Sequence, residues 1–393
     1  MSKKTILDID WHGKCAFVRA DFNVPFVHGS GVISDDTRIQ EAIPTIEYLL
    51  ENGASIILCS HLGRPNGRID EDLRLKPIAE RLATLLDKEI RYTSNEENQT
   101  LNISSIRQGE VVLLENIRFS PQEETNDGPF AMSLAKMADV FVNDAFGTAH
   151  RAHASTEGIA HHVTAVAGLL MEKELSFLGA VLNDPKRPLA ALFGGAKVSD
   201  KIQILDRLLG HADNILVGGG MAATFLHAQG YNVGASLLEN EMVDFCMNLL
   251  NKAHEVGTHI HLPVDVLTAD KIEANVETTI ANVTDIPASS MILDIGPATA
   301  NNYVRILSSM NTVVWNGPMG VFEVPPFDTG TKKIANHLSM SHAVTVIGGG
   351  STSEAVTHLG LETYMSHVST GGGASLEFLE GKVLPGVAAL DDI

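Results

Sequence analysis

Cysteine, aromatic residues and basic charge are all scarce in this chain. Only three of its 393 residues are cysteines, Cys15, Cys59 and Cys246. None forms a C-x-x-C pair, which argues against a disulfide framework or a thiolate zinc site and fits a reducing cytoplasm. Lys and Arg number 28 against 48 Asp and Glu, for a formal net charge of −20. That balance argues against nucleic acid and anionic membrane surfaces as partners. No apolar run approaches the ~18 residues of a membrane span. Met1 to Lys4 lead into no long apolar region of the kind a secretory signal carries. The chain has no G-x-x-x-x-G-K-[ST] loop and no G-x-S-x-G elbow. His254-Glu255 with His259 is one residue too long for H-E-x-x-H. His161-His162 and the group around His259 and His261 lack a carboxylate or cysteine at metal spacing.

What remains is a globular composition, 44% hydrophobic, in a length that suits two ordinary domains. The most telling stretch runs from Gly194 to Lys201 (GGAKVSDK). It follows the apolar run Leu189–Phe193, a buried strand, and precedes Ile202–Leu209, whose apolar positions recur at helical spacing. A glycine turn entering a helix leaves backbone N–H groups free for an anion. Lys197 and Lys201, four residues apart on one helix face, suit a polyphosphate.

The first half alternates strands and helices, which implies a parallel sheet covered on both faces. The expected strands are Cys15–Ala20, Ala54–Cys59, Glu110–Leu114 and Val140–Val142. The expected helices are Thr37–Glu51, interrupted in propensity by Pro44, then Leu75–Leu86 and Phe130–Met137. Ligands bind at the carboxyl ends of such strands. Here those ends carry Asp21, Asn23, His61, Arg64, Arg118, Asn143 and Arg151, a recurrence that favours an anion site.

Glu172–Leu182 is a helical stretch stopped by Asn183-Asp184-Pro185, and reads as a connector. In the second half the strand ends are glycine-rich. Ile215–Val217, Met291–Ile295, Val313–Trp315, Ala343–Ile347 and His367–Ser369 each lead into Gly or Gly-Pro runs. Glycine backbone approaches phosphate closely, so this half suits a nucleotide. Gly218-Gly219-Gly220-Met221-Ala222-Ala223 also satisfies G-x-G-x-x-A, with Glu239 and Glu241 where a ribose-binding acid belongs. A dinucleotide-dependent dehydrogenase is therefore an alternative.

Several runs together resemble phosphoglycerate kinase, in order and over essentially the whole chain. They are Val18–Pro25, Ser60–Pro65, Glu115–Phe119, Asp144–Arg151, Gly194–Lys201, Trp315–Glu323 and Thr370–Ser375. The resemblance implies an α/β protein of two Rossmann-like three-layer domains with parallel sheets. A phosphoglycerate-binding domain would span 1–170, a helix 171–187 and a nucleotide-binding domain 188–375. Residues 376–393 would return to the first domain. It implies transfer of a phosphoryl group from 1,3-bisphosphoglycerate to ADP, giving 3-phosphoglycerate and ATP, by domain closure and in-line transfer. Mg²⁺ would arrive with the nucleotide, and the enzyme would be a cytoplasmic monomer.

By the same resemblance Asp21, Phe22 and Asn23 would meet the glycerate, with Asp21 and Asn23 on its hydroxyl. His61, Leu62, Gly63, Arg64, Arg118 and Arg151 would surround the phosphate that is not transferred. Arg38 would sit beside the reacting carboxyl-phosphate. Lys197 and Lys201, with Gly350 and Gly372, would meet the transferred group. Asn316, Glu323 and the loop Gly349, Gly350, Ser351, Thr352 would hold the nucleotide. The family usually carries Gly-Gly-Gly-Asp-Thr where this chain has Gly348-Gly349-Gly350-Ser351-Thr352. Serine keeps an oxygen and loses a charge, so altered magnesium or nucleotide affinity is expected. A non-catalytic relative kept as a binding protein is the third reading, and Ser351 alone favours it.

Overall fold

The computed structural model describes residues 3–27, 29–101 and 103–393. Met1 and Ser2, at the start considered above, lie outside them. The chain divides into two compact units, Met1–Ser176 with Val383–Ile393, and Phe177–Lys382.

The first unit contains β1 (Cys15–Arg19), α1 (Thr37–Glu51), β2 (Ser55–Cys59), α2 (Lys76–Leu86), β3 (Ile90–Tyr92), α3 (Asn95–Thr100), β4 (Val111–Leu113), α4 (Gly128–Ala135), β5 (Val140–Asn143) and β6 (Thr164–Ala167). Its strands form one parallel sheet in the order β3-β4-β2-β1-β5-β6. Helices cover both faces, so β1 and β2 are buried at every position and are apolar nearly throughout. The strand order reverses at β1, which has β2 on one side and β5 on the other. A crevice opens at such a reversal, outside the carboxyl ends of the strands.

Helix α1 runs unbroken through Pro44. Its buried face, Ile39, Ala42, Ile46 and Leu49, fastens it to the sheet and outweighs the missing N–H. Its start is held by Asp35 Oδ1, which accepts from Thr37 N at 2.9 Å, while Asp36 makes no side-chain cap.

Helix α5 (Leu169–Asn183) continues from the first unit into the second. Asp144 Oδ1 accepts from Leu170 N and Met171 N in its first turn, at 3.0 and 3.1 Å. Thr45 Oγ1 of α1 accepts from Leu169 N at 2.9 Å.

The second unit contains β7 (Leu189–Phe193), α6 (Ile202–Leu208), β8 (Asn214–Val217), α7 (Met221–Ala228), α8 (Val243–Val256), β9 (His259–His261), β10 (Asp265–Ala269), β11 (Thr279–Asn282), β12 (Met291–Ile295), α9 (Pro297–Leu307), β13 (Thr312–Asn316), α10 (Thr329–Ser339), β14 (Val344–Gly348), α11 (Gly350–His358), β15 (His367–Val368) and α12 (Gly373–Leu379). Its main sheet is parallel, in the order β15-β14-β13-β7-β8-β9. Met291–Ile295 departs from the expected pattern. As β12 it pairs antiparallel with β10 in a separate sheet, β11-β10-β12. A short apolar run signals burial but carries no strand direction.

The chain's last helix, α13 (Pro385–Ala388), lies in the first unit. Asn143 Nδ2 donates to Gly386 O at 2.9 Å, and Lys3 Nζ donates to Leu390 O at 2.7 Å and pairs with Asp392 at 2.8 Å. Residues 376–382, expected with this returning segment, belong instead to α12 and its end in the second unit. Each unit has one deeply buried tryptophan, Trp11 and Trp315.

Candidate active site

The carboxyl ends of β1, β2 and β5 gather basic side chains. Arg38, one residue into α1, donates to Asp21 Oδ2 at 3.1 Å and to Asn23 O at 3.2 Å. Asn23 Oδ1 accepts from Gly63 N at 2.9 Å, which ties the turn after β1 to the turn after β2. Phe22 is buried, and its N–H donates to Ser60 Oγ at 2.8 Å. Asn116 clamps the Leu62 backbone, donating to Leu62 O at 2.8 Å and accepting from Leu62 N at 3.3 Å. Arg118, itself buried, donates to Gly63 O at 2.9 Å. Its buried Nε makes no hydrogen bond, although Glu124 Oε1 lies 3.4 Å away. Arg151 Nε donates to His150 Nε2 at 3.2 Å, and Arg64, next to Gly63, is exposed.

Sequence reasoning passed over the layer beneath. Arg19 is completely buried at the end of β1, with its Nη2 3.1 Å from His61 Nδ1 and its Nε donating to Ser155 Oγ at 2.9 Å. Ser155 Oγ donates onward to Glu123 Oε1 at 2.6 Å, and Ser155 N donates to Glu123 Oε2 at 2.9 Å. A guanidinium can only donate, so His61 Nδ1 accepts and the ring proton sits on Nε2. Burial, then Arg19, Arg118, Arg38 and His153, hold the His61 pKa well below its ordinary value. His153 is pushed down to about 4 by burial and then by Arg118, Arg19 and Arg151. Burial and then Arg19 lower Arg118 to about 10. After burial, this mutual lowering reflects how closely the basic groups are gathered.

In the second unit the loop after β7 differs from the expected helix face. Lys197 is exposed and precedes the helix, whereas Lys201 is half-buried at the N-cap of α6. Ser199–Lys201 is a turn of 3₁₀ helix, so the two lysines do not stack at helical spacing. Glu239 sets this loop, with Oε2 accepting from Val198 N at 2.5 Å and from Ser199 N at 3.2 Å. Lys201 Nζ donates to Asn316 Oδ1 at the end of β13. Burial lowers its pKa, opposed by Asp200 and Glu380. Asn316 Nδ2 is buried without a partner.

The glycines fall into two groups. Gly194, Gly219 and Gly317 pack backbone on backbone. Gly195 N donates to Pro318 O at 2.9 Å, Gly219 N to Met319 O at 2.9 Å and Met221 N to Gly195 O at 3.0 Å. A β-carbon on Gly219 would strike the Gly195 backbone. The Gly218–Gly220 run is therefore a buried cross-link, and Glu239 is engaged by the lysine loop, so the dinucleotide fingerprint has no structural counterpart here. Gly350, Gly372 and Gly373 instead face open space. Gly349 caps α11 at φ 86°, Ser351 is exposed, and Thr352 turns inward, accepting from Gly317 N at 2.6 Å.

Beside these loops lies a cavity of about 330 Å³. Its walls are Gly195, Gly219, Leu237, Met291, Leu293 and Val321, with Glu323 and Ser351 among its few polar groups. A mostly apolar slot with convergent polar groups at its edge suits a flat heterocycle. Glu323 and Ser351 are thus brought together, while Lys197, Lys201 and Asn316 are not part of its lining. No group of three or more His, Cys, Asp or Glu among the described residues could hold a metal ion. No helix there is long and apolar enough to cross a membrane.

The family model for phosphoglycerate kinase matches residues 6–382. The chain is 53% identical over 399 residues to phosphoglycerate kinase of Chloroflexus aurantiacus, and 52% identical over 394 residues to that of Herpetosiphon aurantiacus. Both alignments cover 100% of each chain. The fold is similar to the solved structure of phosphoglycerate kinase from Coxiella burnetii, with TM-score 0.91, 40% identity and 98% of each chain covered. The enzyme from Pyrococcus horikoshii follows at TM-score 0.83, 32% identity and 98% of each chain.

Proposed function

The chain belongs to the phosphoglycerate kinase family, and on that premise we propose how its two units divide the phosphoryl transfer between 1,3-bisphosphoglycerate and ADP. The first unit binds 3-phosphoglycerate or its acyl phosphate. The second binds ADP or ATP. The observation that carries this division is the gathering of Arg38, His61, Arg118 and Arg151 beyond the strand ends of one unit and the apolar slot with Glu323 in the other.

Arg118, Arg151 and Arg64 grip the phosphate that stays, by guanidinium forks that match its oxygens. His61 adds a neutral Nε2–H donor. Asp21 and Asn23 hold the glycerate hydroxyl, and Arg38 stands at the carboxyl end. Glu323 takes the ribose. The N–H groups of the Gly349–Thr352 and Gly371–Gly373 turns, with Lys197 and Lys201, take the nucleotide phosphates and the group in flight. No nucleophilic side chain is required, because transfer needs in-line placement and neutralisation of spread charge. With the ligands on different units, the units close around them before transfer.

Magnesium arriving with the nucleotide would supply charge neutralisation at the phosphate oxygens. The exposed Ser351 hydroxyl, on the slot and at the start of α11, is the side chain here that would help hold it. In Ser351→Asp the added charge lowers the Mg²⁺ concentration needed for half-maximal activity several-fold; an unchanged Mg²⁺ and nucleotide dependence would refute this role.

The protein is a cytoplasmic monomer on this reading. Its test is ATP-dependent phosphorylation of 3-phosphoglycerate, titrated with Mg²⁺. Absence of turnover in folded protein at every Mg²⁺ concentration overturns it. A second measurement addresses His61. Ring-nitrogen NMR shows the neutral Nε2–H tautomer still dominant at pH 6, below the ordinary histidine value, because burial and Arg19 both oppose the imidazolium. An imidazolium spectrum at pH 6 would contradict the assignment.

A further inference from the structure

We infer that Asp294 is a positioning residue for nucleotide binding, fastening one wall of the slot to the first turn of α10. The inference rests on the slot being the nucleotide site. Strand β12 supplies Met291, Ile292 and Leu293 to the slot, and Asp294 is the next residue, 1% exposed. Its Oδ2 accepts from Gly330 N, in the first turn of α10, at 2.7 Å, and its Oδ1 accepts from Ile295 N at 2.8 Å. Gly320, another slot residue, and Gly330 both lie so close to this carboxylate that a β-carbon on either would collide with it.

The segment that carries Glu323 is stitched to the same two elements. Val321 N donates to Leu293 O at 2.9 Å, and Met319 N donates to Thr331 Oγ1 of α10 at 2.9 Å. Asp294 and Thr331 therefore pin β12 and residues 318–323 to one helix end, and the ribose acid is held by that frame. Neither residue lines the slot, so their effect on a ligand passes through the wall.

A buried carboxylate is an unusual choice for such a clamp, and it makes the clamp sensitive to protons. Burial pushes Asp294 up to about 7, opposed by the N–H donors of Gly330 and Ile295 and reinforced by Asp328. Asp328, at the N-cap of α10, is the charge facing it from that helix and is itself paired with Lys332 at 2.5 Å. Opposite on β10 stands Leu267, and the 318–321 segment brings Pro318, Met319, Gly320 and Val321. Ionised, Asp294 accepts two charge-assisted hydrogen bonds, one of them from the N-terminus of α10. Protonated, it loses the charge that makes those bonds strong. The wall is thus tightest above pH 7 and loosens as pH falls below it.

Calorimetric titration of ADP into the full-length parent, Asp294→Asn and Thr331→Val, at pH 8 and pH 6, tests this. In Asp294→Asn the ADP Kd at pH 8 rises about tenfold, the KM for 3-phosphoglycerate stays unchanged, and the difference from the parent shrinks at pH 6. ADP's own phosphate titrates alike in both proteins, so the difference isolates Asp294. Thr331→Val raises the ADP Kd by a pH-independent factor. A parent that binds no ADP sinks the slot assignment itself. A parent that binds ADP while Asp294→Asn binds it equally at both pH values sinks this inference alone. Equal weakening of ADP and 3-phosphoglycerate also overturns it, since that reports general damage. If Asp294→Asn does not fold, an unchanged ADP Kd in Thr331→Val is decisive against the clamp.

Discussion

Lys201→Ala lowers kcat by about 10³-fold while leaving the KM for 3-phosphoglycerate close to that of the parent. Lys201 is the more buried of the two loop lysines. It is half-buried, its pKa is lowered by burial, and its ammonium donates to the neutral Asn316 side chain rather than forming an ion pair among the described residues. A half-buried charge that Asp200 and Glu380 only partly offset is stabilised further when negative charge arrives. The phosphoryl group in flight spreads charge over its equatorial oxygens, and Lys201 meets it with no reorganisation. Steady-state kinetics with both substrates varied checks this. A fall of tenfold or less in kcat, or a matching rise in the KM for 3-phosphoglycerate, would remove Lys201 from the transfer step.

The second large effect concerns stability. Arg19→Met destabilises the first unit by about 3–5 kcal/mol at pH 8, because it leaves Glu123 buried without the positive charge that compensates it most. Glu123 is fully buried, and its pKa is already raised by burial, with Arg19 the largest influence pulling it back. Loss of Arg19 raises it further. A carboxylate whose folded pKa lies above its unfolded value costs stability as pH rises from the unfolded towards the folded value, and costs nothing below the unfolded value. The defect is therefore greatest at pH 8 and shrinks towards pH 4. Denaturation followed through Trp11 reports it, and Trp315 reports the other unit as an internal reference. Equal stability of parent and variant at pH 8 would show that the buried network carries no net charge compensation. Substrate affinity falls as well, since Arg19 is what fixes the proton of His61 on Nε2.

Where start signals or an apolar run were clear the sequence marked elements to the residue, as for α1 and β7. Short strands escaped it. Strand β3 is Ile-Arg-Tyr at half-buried positions, and β11 is an edge strand exposed at all but Ala281, so neither shows a clean alternation. The basic strand ends of the first unit were legible because like charges recur at equivalent points. The layer beneath was not, since Ser60, Asn116, Glu123 and Ser155 act through backbone contacts and partners far apart in sequence. Arg19 did leave a signal, being a lone charge closing the otherwise apolar run Cys15–Arg19. Asp294 left one too, as the lone charge inside the otherwise apolar run Met291–Ile295. The lysine pair misled for a different reason. Spacing implies a shared face only within a helix, and Glu239 holds this loop out of one.

The two ends of the chain meet in the first unit, where Lys3 is bonded to Leu390 and Asp392. Multidomain chains commonly fold from the N-terminus as they are synthesised. This one cannot finish in that order. Residues 383–393 follow the second unit in sequence, so the segment up to Lys382 is translated before the first unit has all its parts. The nascent first unit waits with the contacts of Lys3 and Asn143 unmade, and its closure follows synthesis of the second.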